Sequence, residues 1–416
     1  MKANTIDDAL RIFDPNYPLI EEDDIKAYYV DRDPSPLNEI KTILKTDTGF
    51  PKVLLSGPPG CGKCTELGKL KQDLKKDFHA ILLPGKNFIS NFEFNLEGLI
   101  SKILKEVGAI AKKENLAIGD KIDKFLNYGY GWEIGREVAV TVKGGKATEI
   151  LLDTSTLDKI AKDAQQEQSY KEVLKQSSKP GVGDMIGLLN EAIEDIDLQT
   201  KKDVLVLVPD MDKISVENAK ELFTKSLRNL LRLPCFMVYT FPLMLKYDPD
   251  FITLFHNFNG IYYLPHLAIE DQFGHPNDKN RDKLKEIITK RMPTKLIYDD
   301  AIEKIVTLSG GIVFELVKLV RQCCIVSLME KINFIDEEVV DEAERRIRSF
   351  YKVAYSKKEL EQLLEIRLNK KLINYEATKK LFIQLSYTEY GWGDEVWYDV
   401  NPILLPLLEE LGSEGE

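Results

Sequence analysis

The apolar residues of this chain fall into short runs separated by long segments with helical spacing. KVLLS (52–56), HAILL (79–83), VLVLV (204–208), CFMVYT (235–240) and IYYL (261–264) have strand length and are rich in branched or aromatic side chains. Between them, residues such as Leu222, Phe223, Ser226, Leu227, Leu230 and Leu231 recur at the helical period. Short apolar strands alternating with helices predict a parallel sheet covered on both faces. The pattern therefore predicts an α/β core over 28–275, interrupted between its second and third strands by a mostly helical insertion at about 89–203. Inside the insertion, KIAKDAQQEQSYKEVLKQ is a charged stretch, while NYGYGWEIGREVAVTVKGGKATEILL alternates like a hairpin turning at Gly144-Gly145. An interface and a decorated loop both fit that hairpin, and neither is chosen.

After Leu264 the pattern changes. PNDKNRD (276–282) is a polar linker, and four helical segments follow it: KLKEIITKRM, DDAIEKIVTLSGG, FELVKLVRQCCIVSLMEK and DEEVVDEAERRIRSFYKVAY. They predict a helical lid domain over 283–356. Residues 357–416 mix helices with a hairpin, LSYTEYGWGDEVWYDV, turning at Gly391-Trp392-Gly393, which predicts a winged-helix-like module. Residues 1–27 form an N-terminal extension.

Composition narrows the class. Of 416 residues, 44% are hydrophobic and 30% charged, as in ordinary globular proteins with ample material for a core. The sequence has no apolar run of membrane-spanning length, and MKANTIDDAL is too polar for a signal peptide, so a cytoplasmic protein without membrane contact is expected. Five cysteines, two of them adjacent (Cys323, Cys324), do not make a disulfide framework. A net charge of -11 argues against broad nucleic-acid coating, because phosphate contacts come from clustered Lys and Arg.

The chemistry begins at Gly57. Gly57, Pro58, Pro59, Gly60, Cys61, Gly62, Lys63, Cys64 and Thr65 follow a predicted strand and open a predicted helix, the context a P-loop requires. Glycines let backbone N–H groups turn toward a phosphate, the helix N-terminus adds its positive end, and Lys63 supplies a point charge. The expected ligand is ATP or ADP. Position 64 breaks the pattern: a P-loop carries Ser or Thr there as a Mg²⁺ ligand, whereas a thiol is a poor donor for so hard a cation. Thr65 lies about 100° further round the helix and points elsewhere. The Cys61–Cys64 spacing mimics a redox motif, but the glycines already explain the loop.

VLVLVPDMDK is the good candidate for the acidic strand end of an ATPase site. With this segment the sequence resembles prokaryotic AAA+-like, STAND-related P-loop ATPases, distantly of the Orc/Cdc6 type. The resemblance spans nearly the whole chain. It is carried by TIDDALRIFDP, YYVDR, the P-loop with its Thr-Glu-Leu, MIGLLNEAIEDI, MDK, YTFPLMLKYDPDF, SGGIVFELVKLVR and WYDVNPILLPLLEEL. It implies fold and nucleotide more than biology. It also implies that Tyr29 to Arg32 border the base and that Thr240, ending the fourth strand, sits where the family places a γ-phosphate sensor; a simple strand-end hydroxyl fits Thr240 equally well. Three positions depart from the family pattern. The P-loop hydroxyl is Cys64, the first acidic residue of the strand-end motif is Pro209, and the sensor arginine falls on Phe314. A one-residue shift would give Asp210 the metal role, with Asp212 behind it.

Phosphoryl transfer depends on Mg²⁺ neutralising developing charge, whereas binding depends mainly on the loop. The favoured reading is an ATP-binding regulatory switch or scaffold with weak or absent hydrolysis in a larger assembly, such as a prokaryotic defence system. Two alternatives stay open: an active ATPase using Asp210 for Mg²⁺, and an initiator-like DNA-binding ATPase. Arg228 and Arg232 are candidate cross-subunit fingers, although exposed helix arginines are usually only solvated. The histidines at 79, 256, 266 and 275 show no metal spacing. Residues 345–380 carry 11 Lys and Arg against 4 Glu, and 381–416 carry 8 acidic residues with no Lys or Arg. That acidic half would repel DNA, so pairing of the two halves within the chain or docking to another protein is expected instead, with a protein partner or self-oligomer.

Overall fold

The computed structural model describes residues 2–32, 35–47, 49–85, 96–129, 181–248, 251, 256–372 and 374–413, with strand pieces at 89–90, 93–94, 140–143 and 146–149. Five parallel strands form the centre: β1 (Lys52–Ser56), β2 (Phe78–Leu82), β7 (Asp203–Val208), β8 (Phe236–Thr240) and β9 (Gly260–Tyr263). Their spatial order is β2–β7–β8–β1–β9. Each predicted strand is present, with ends moved by no more than a residue. In the register, Val53 faces Val238, Leu54 faces Tyr239 and Ile81 faces Val206.

Because side chains alternate along a strand, the sheet feeds two cores. Leu54, Ile81, Val204, Val206, Val208, Met237 and Tyr239 meet the helices Leu96–Lys113, Ile118–Gly129, Val182–Thr200 and Val216–Lys225. On the other face Val53, Leu55, Leu205, Leu207 and Val238 meet the helices Pro36–Thr46 and Lys63–Leu74. The helices at both ends of the expected insertion are thus a layer of the core, held by apolar stripes such as Leu99, Ile103, Leu104 and Val107. Burying one such side chain contributes about 1.5–3 kcal/mol. Between these helices, β3 (Ile89–Ser90) pairs with β4 (Glu93–Phe94), and β5 (Val140–Lys143) pairs with β6 (Lys146–Glu149). The second pair has the expected hairpin register. The turn Gly144-Gly145 and the charged stretch 159–176 lie outside the described residues.

The helical run around Leu222–Leu231 divides at Ser226 into the helices Val216–Lys225 and Leu227–Leu231. The lid is formed by the helices Asp278–Arg291, Asp299–Ser309, Val313–Glu330 and Glu337–Ala354. The N-terminal helix Ile6–Ile12 packs into it through Ala3, Ile6, Ala9 and Phe13. In the C-terminal module the helices Lys357–Asn369 and Tyr375–Ile383 precede β10 (Tyr387–Tyr390) and β11 (Trp397–Val400), followed by the helix Leu405–Ser413. β10 and β11 are antiparallel, and the expected turn holds Gly391 and Gly393 at positive φ. All eight residues of these two strands are buried. The hairpin faces inward, sharing a core with Leu243, Met244 and Tyr263 of the sheet domain. Among the described residues, no helix is long and apolar enough to cross a membrane.

Candidate functional site

The site sits at the carboxyl ends of β1, β7 and β8. The chain leaves β1 at Ser56 and re-enters a helix at Lys63, leaving Gly57 to Gly62 as a tight loop. Gly57 is required by crowding: a Cβ there would lie 2.4 Å from the Leu264 carbonyl oxygen beyond β9. Gly60 adopts φ +76, and its Cβ would lie 2.9 Å from Cβ of Phe314. The helix Lys63–Leu74 has no side-chain N-cap. The helix dipole favours an anion at this end.

Lys63 is 5% exposed, and its Nζ donates to Gly57 O (2.9 Å) and Pro58 O (3.0 Å). It also pairs with Asp212, whose Oδ2 lies 3.0 Å away, and lies 3.8 Å from Cys61 Sγ. Burial opposes both charges, yet their mutual attraction prevails: Lys63 is held above the usual lysine range and Asp212 below the usual carboxylate range. The other carboxylate oxygen of Asp212, Oδ1, is buried without a hydrogen-bond partner.

Pro209 extends β7, and its carbonyl accepts from Gly85 N (2.8 Å). Asp210 then reverses the chain at φ 69. Its Oδ1 accepts from Cys64 Sγ (3.3 Å) and from Lys213 Nζ (2.7 Å). The structure thus brings Asp210, and not Pro209, to the P-loop position that ordinarily carries a hydroxyl. Burial, with Asp210 and Asp212 alongside, pushes the Cys64 thiol up to about 12. Burial also raises Cys61, which leaves neither member of the Cys61–Cys64 pair with the depressed pKa of a reactive thiol. Thr240, fully buried, turns its hydroxyl on the same loop, where Oγ1 accepts from Met211 N (2.8 Å) and Asp212 N (3.3 Å). Thr65 points away from the cradle, and its Oγ1 accepts from Leu19 N (3.2 Å).

Magnesium, which a P-loop implies, takes hard oxygen ligands. The donor set at this position is one carboxylate, Asp210, beside a thiol that stays neutral. That set fits the ion poorly. Among the described residues, no group of three or more His, Cys, Asp or Glu could hold a metal ion.

Arg32 binds the back of the loop. It donates to the carbonyls of Cys61 and Pro265 and pairs through Nε with Glu66 (3.3 Å). Glu66 Oε2 also accepts from Tyr29 Oη (2.9 Å). Burial raises Glu66 even with Arg32 beside it. Sequence reading named Tyr29 and Arg32, but their buried partner Glu66 entered only as part of a motif. His266 was passed over for lack of metal spacing, and it is wholly buried with neither ring nitrogen bonded. Burial, then Arg32 and Lys63, hold it well below the usual histidine range, hence neutral.

The lid and the C-terminal hairpin close over this assembly. Phe314 N donates to Gly60 O (3.1 Å), so the position expected for a sensor cation presents a backbone amide and a phenyl ring. Tyr390 Oη donates to Gly310 O (2.6 Å), and Trp392 stacks on Tyr263 at 4.7 Å. Glu389, 1% exposed, accepts from Tyr263 Oη (2.9 Å), Tyr398 Oη (2.7 Å) and Lys246. Arg228 and Arg232 are exposed and precede β8, at the amino-terminal ends of the strands, opposite the end that carries the P-loop.

No family model matches the sequence, and no curated protein matches it. Among solved structures the chain is similar to the Thermotoga maritima RuvB Holliday junction branch migration motor, at 13% identity and TM-score 0.42, over 93% of this chain and 90% of that one. It is also similar to Cdc6p from Pyrobaculum aerophilum, at 11% identity and TM-score 0.43, over 97% and 98%. The Aeropyrum pernix ORC2 protein, solved as ADPNP–ADP complexes, stands at 11% identity and TM-score 0.42, again over 97% and 98%. Identities and scores this low assign neither activity nor partner to this chain.

Proposed function

We propose that this chain is a nucleotide-dependent switch that binds ATP or ADP in the Gly57–Thr65 loop and hydrolyses it weakly or not at all. One observation carries the reading: the buried Lys63 ammonium lies inside a glycine-rich loop at the start of an uncapped helix. A buried cation at the start of an uncapped helix is the chemistry that holds a di- or triphosphate. Weak hydrolysis follows from the same neighbourhood. Cys64 offers no hard oxygen, Pro209 carries no side-chain donor, and Phe314 supplies no cation for the γ-phosphate. What remains favours holding the nucleotide over stabilising charge in a transition state.

A switch also needs a moving part that senses the ligand. Here the lid amide of Phe314 rests on Gly60, and the C-terminal hairpin rests on Gly310 and Tyr263. Phosphates entering the loop would therefore disturb the lid first. The partner is then a protein or a second copy of the chain, within an assembly such as a prokaryotic defence system in the cytoplasm.

The second reading, an active ATPase, is favoured by the Cys64–Asp210 contact, which sets a carboxylate beside the start of the P-loop helix. Mg²⁺, when bound with water and phosphate oxygens, would neutralise phosphate charge. Equilibrium binding of a fluorescent ADP, followed by steady-state ATP turnover, separates the two. The switch predicts binding with turnover far below about 1 s⁻¹, the low end of ordinary enzyme rates. Turnover at or above that rate establishes the ATPase.

A further inference from the structure

An ammonium has three donors, and the oxygens around the Lys63 ammonium are two P-loop carbonyls, Gly57 O and Pro58 O, and one anion, Asp212, with Cys61 Sγ further off at 3.8 Å. The carboxylate therefore holds the place at the lysine that a phosphate oxygen would need. It is held there by design of the loop rather than by chance. Asp210 at positive φ turns the chain back, and the amides of Met211 and Asp212 are anchored on Thr240 Oγ1. Cys64–Asp210 is a second tie between the same loop and the P-loop helix. The short turn 209–213 is thus fastened to the phosphate cradle at two points.

We propose that Asp212 is an internal anion that occupies Lys63 in the nucleotide-free chain and must be displaced when nucleotide binds. The proposal rests on the nucleotide reading above and adds its regulation. Two consequences follow from electrostatics. A phosphate competes with a carboxylate already in contact, so the affinity of the wild-type chain is lower than the cradle alone would give. In addition, Asp212 cannot stay buried and unpaired once Lys63 has turned to the phosphate, because an uncompensated buried charge is strongly destabilising. The turn 209–213 moves with it, and that turn leads into the helix Val216–Lys225 only three residues later. Ligand exchange at one ammonium becomes displacement of a loop.

The test uses the full chain and fluorescent ADP in EDTA, so that no metal ion enters. Wild type, Asp212→Asn and Lys63→Ala are compared by equilibrium binding, with melting curves to verify folding. Asp212→Ser serves as the second neutral variant if Asp212→Asn fails to fold. Coupling between close charge pairs predicts that the neutral variant binds about tenfold tighter or more. Amide exchange across 209–215 should rise when ADP is added to wild type and change little in the variant. Binding by the neutral variant no tighter than wild type overturns the proposal, as does unchanged exchange in wild type. If wild type binds, Lys63→Ala does not, and Asp212→Asn is no tighter, the displacement idea fails while the nucleotide site stands. If ADP binds none of the three, the nucleotide reading itself fails and the proposal with it.

Discussion

Cys64 Sγ donates to Asp210 Oδ1 across 3.3 Å, joining the first turn of the P-loop helix to the turn that follows β7. In a P-loop with a hydroxyl at this position, the same two places share a magnesium ion. Here a neutral thiol fills one of them. Nucleotide affinity should therefore change little when Mg²⁺ is replaced by EDTA. Cys64→Ser with Pro209→Asp should make binding more dependent on Mg²⁺ and raise turnover. Loss of wild-type affinity by more than about tenfold in EDTA would contradict this.

The same thiol yields a pH prediction. Its folded pKa, raised from 9.0 to about 12, means the protonated form is favoured on folding. The stability it contributes is whole below pH 9 and is lost as pH rises toward 12. At pH 8 the Cys64 thiolate should be about a thousandfold scarcer than in the unfolded chain. Cys64 should thus resist a thiol reagent at pH 8, react progressively above pH 10, and react at once in denaturant. Rapid labelling of the native protein at pH 8 would count against the part-buried Cys64–Asp210 contact.

Glu389 and Tyr263 meet through a 2.9 Å hydrogen bond that ties the C-terminal hairpin to the end of β9. Lys246 and Tyr398 share the same carboxylate. Glu389→Ala would leave Lys246 without its partner and the tyrosines without an acceptor, at a cost of about 3 kcal/mol. The expected result is lower-temperature melting of the C-terminal module and faster proteolysis between the lid and residue 413. A shift worth less than about 0.5 kcal/mol would show that the hairpin is not held by this cluster.

The basic segment 345–380 should bind DNA poorly. Arg345 and Arg346 pair with Glu342, and Arg348 pairs with Glu344, so this face is partly neutralised within its own helix. Each phosphate contact contributes about -0.9 to the logarithmic salt slope, so a module with five contacts would give about -4.5. The expectation is no duplex binding at about 0.15 M salt, where exposed charges are screened beyond about 8 Å, or a slope shallower than -2. Sub-micromolar binding at that salt, abolished by changing Arg345, Arg346 and Arg348 to Glu, would favour the initiator-like alternative.

The elements were legible because their signals are local. The unbroken apolar runs KVLLS and VLVLV mark strands buried on both faces, and Gly57 to Lys63 is a contiguous motif. The layer role of Leu96–Lys113 and Val182–Thr200 was not legible, since sequence position cannot show which side of a sheet an inserted helix covers. Pro209 against Asp210 is a one-residue ambiguity in the motif, and the structure sets the Asp210 carboxylate beside Cys64. Asp212 beside Lys63, Glu66 beside Arg32, and Glu389 beside Tyr263 are long-range pairs with no spacing rule. His266 gave no signal, because an imidazole without hydrogen-bond partners has no motif.

The most direct measurement is the melting temperature of wild type and Lys63→Ala with ADP or ATP at a hundredfold excess over Kd. Ligand binding to the folded state then contributes about 2.7 kcal/mol. A clear rise for wild type, absent in Lys63→Ala, is the predicted result. No rise with millimolar nucleotide, or an equal rise in both proteins, would contradict a nucleotide site in this loop.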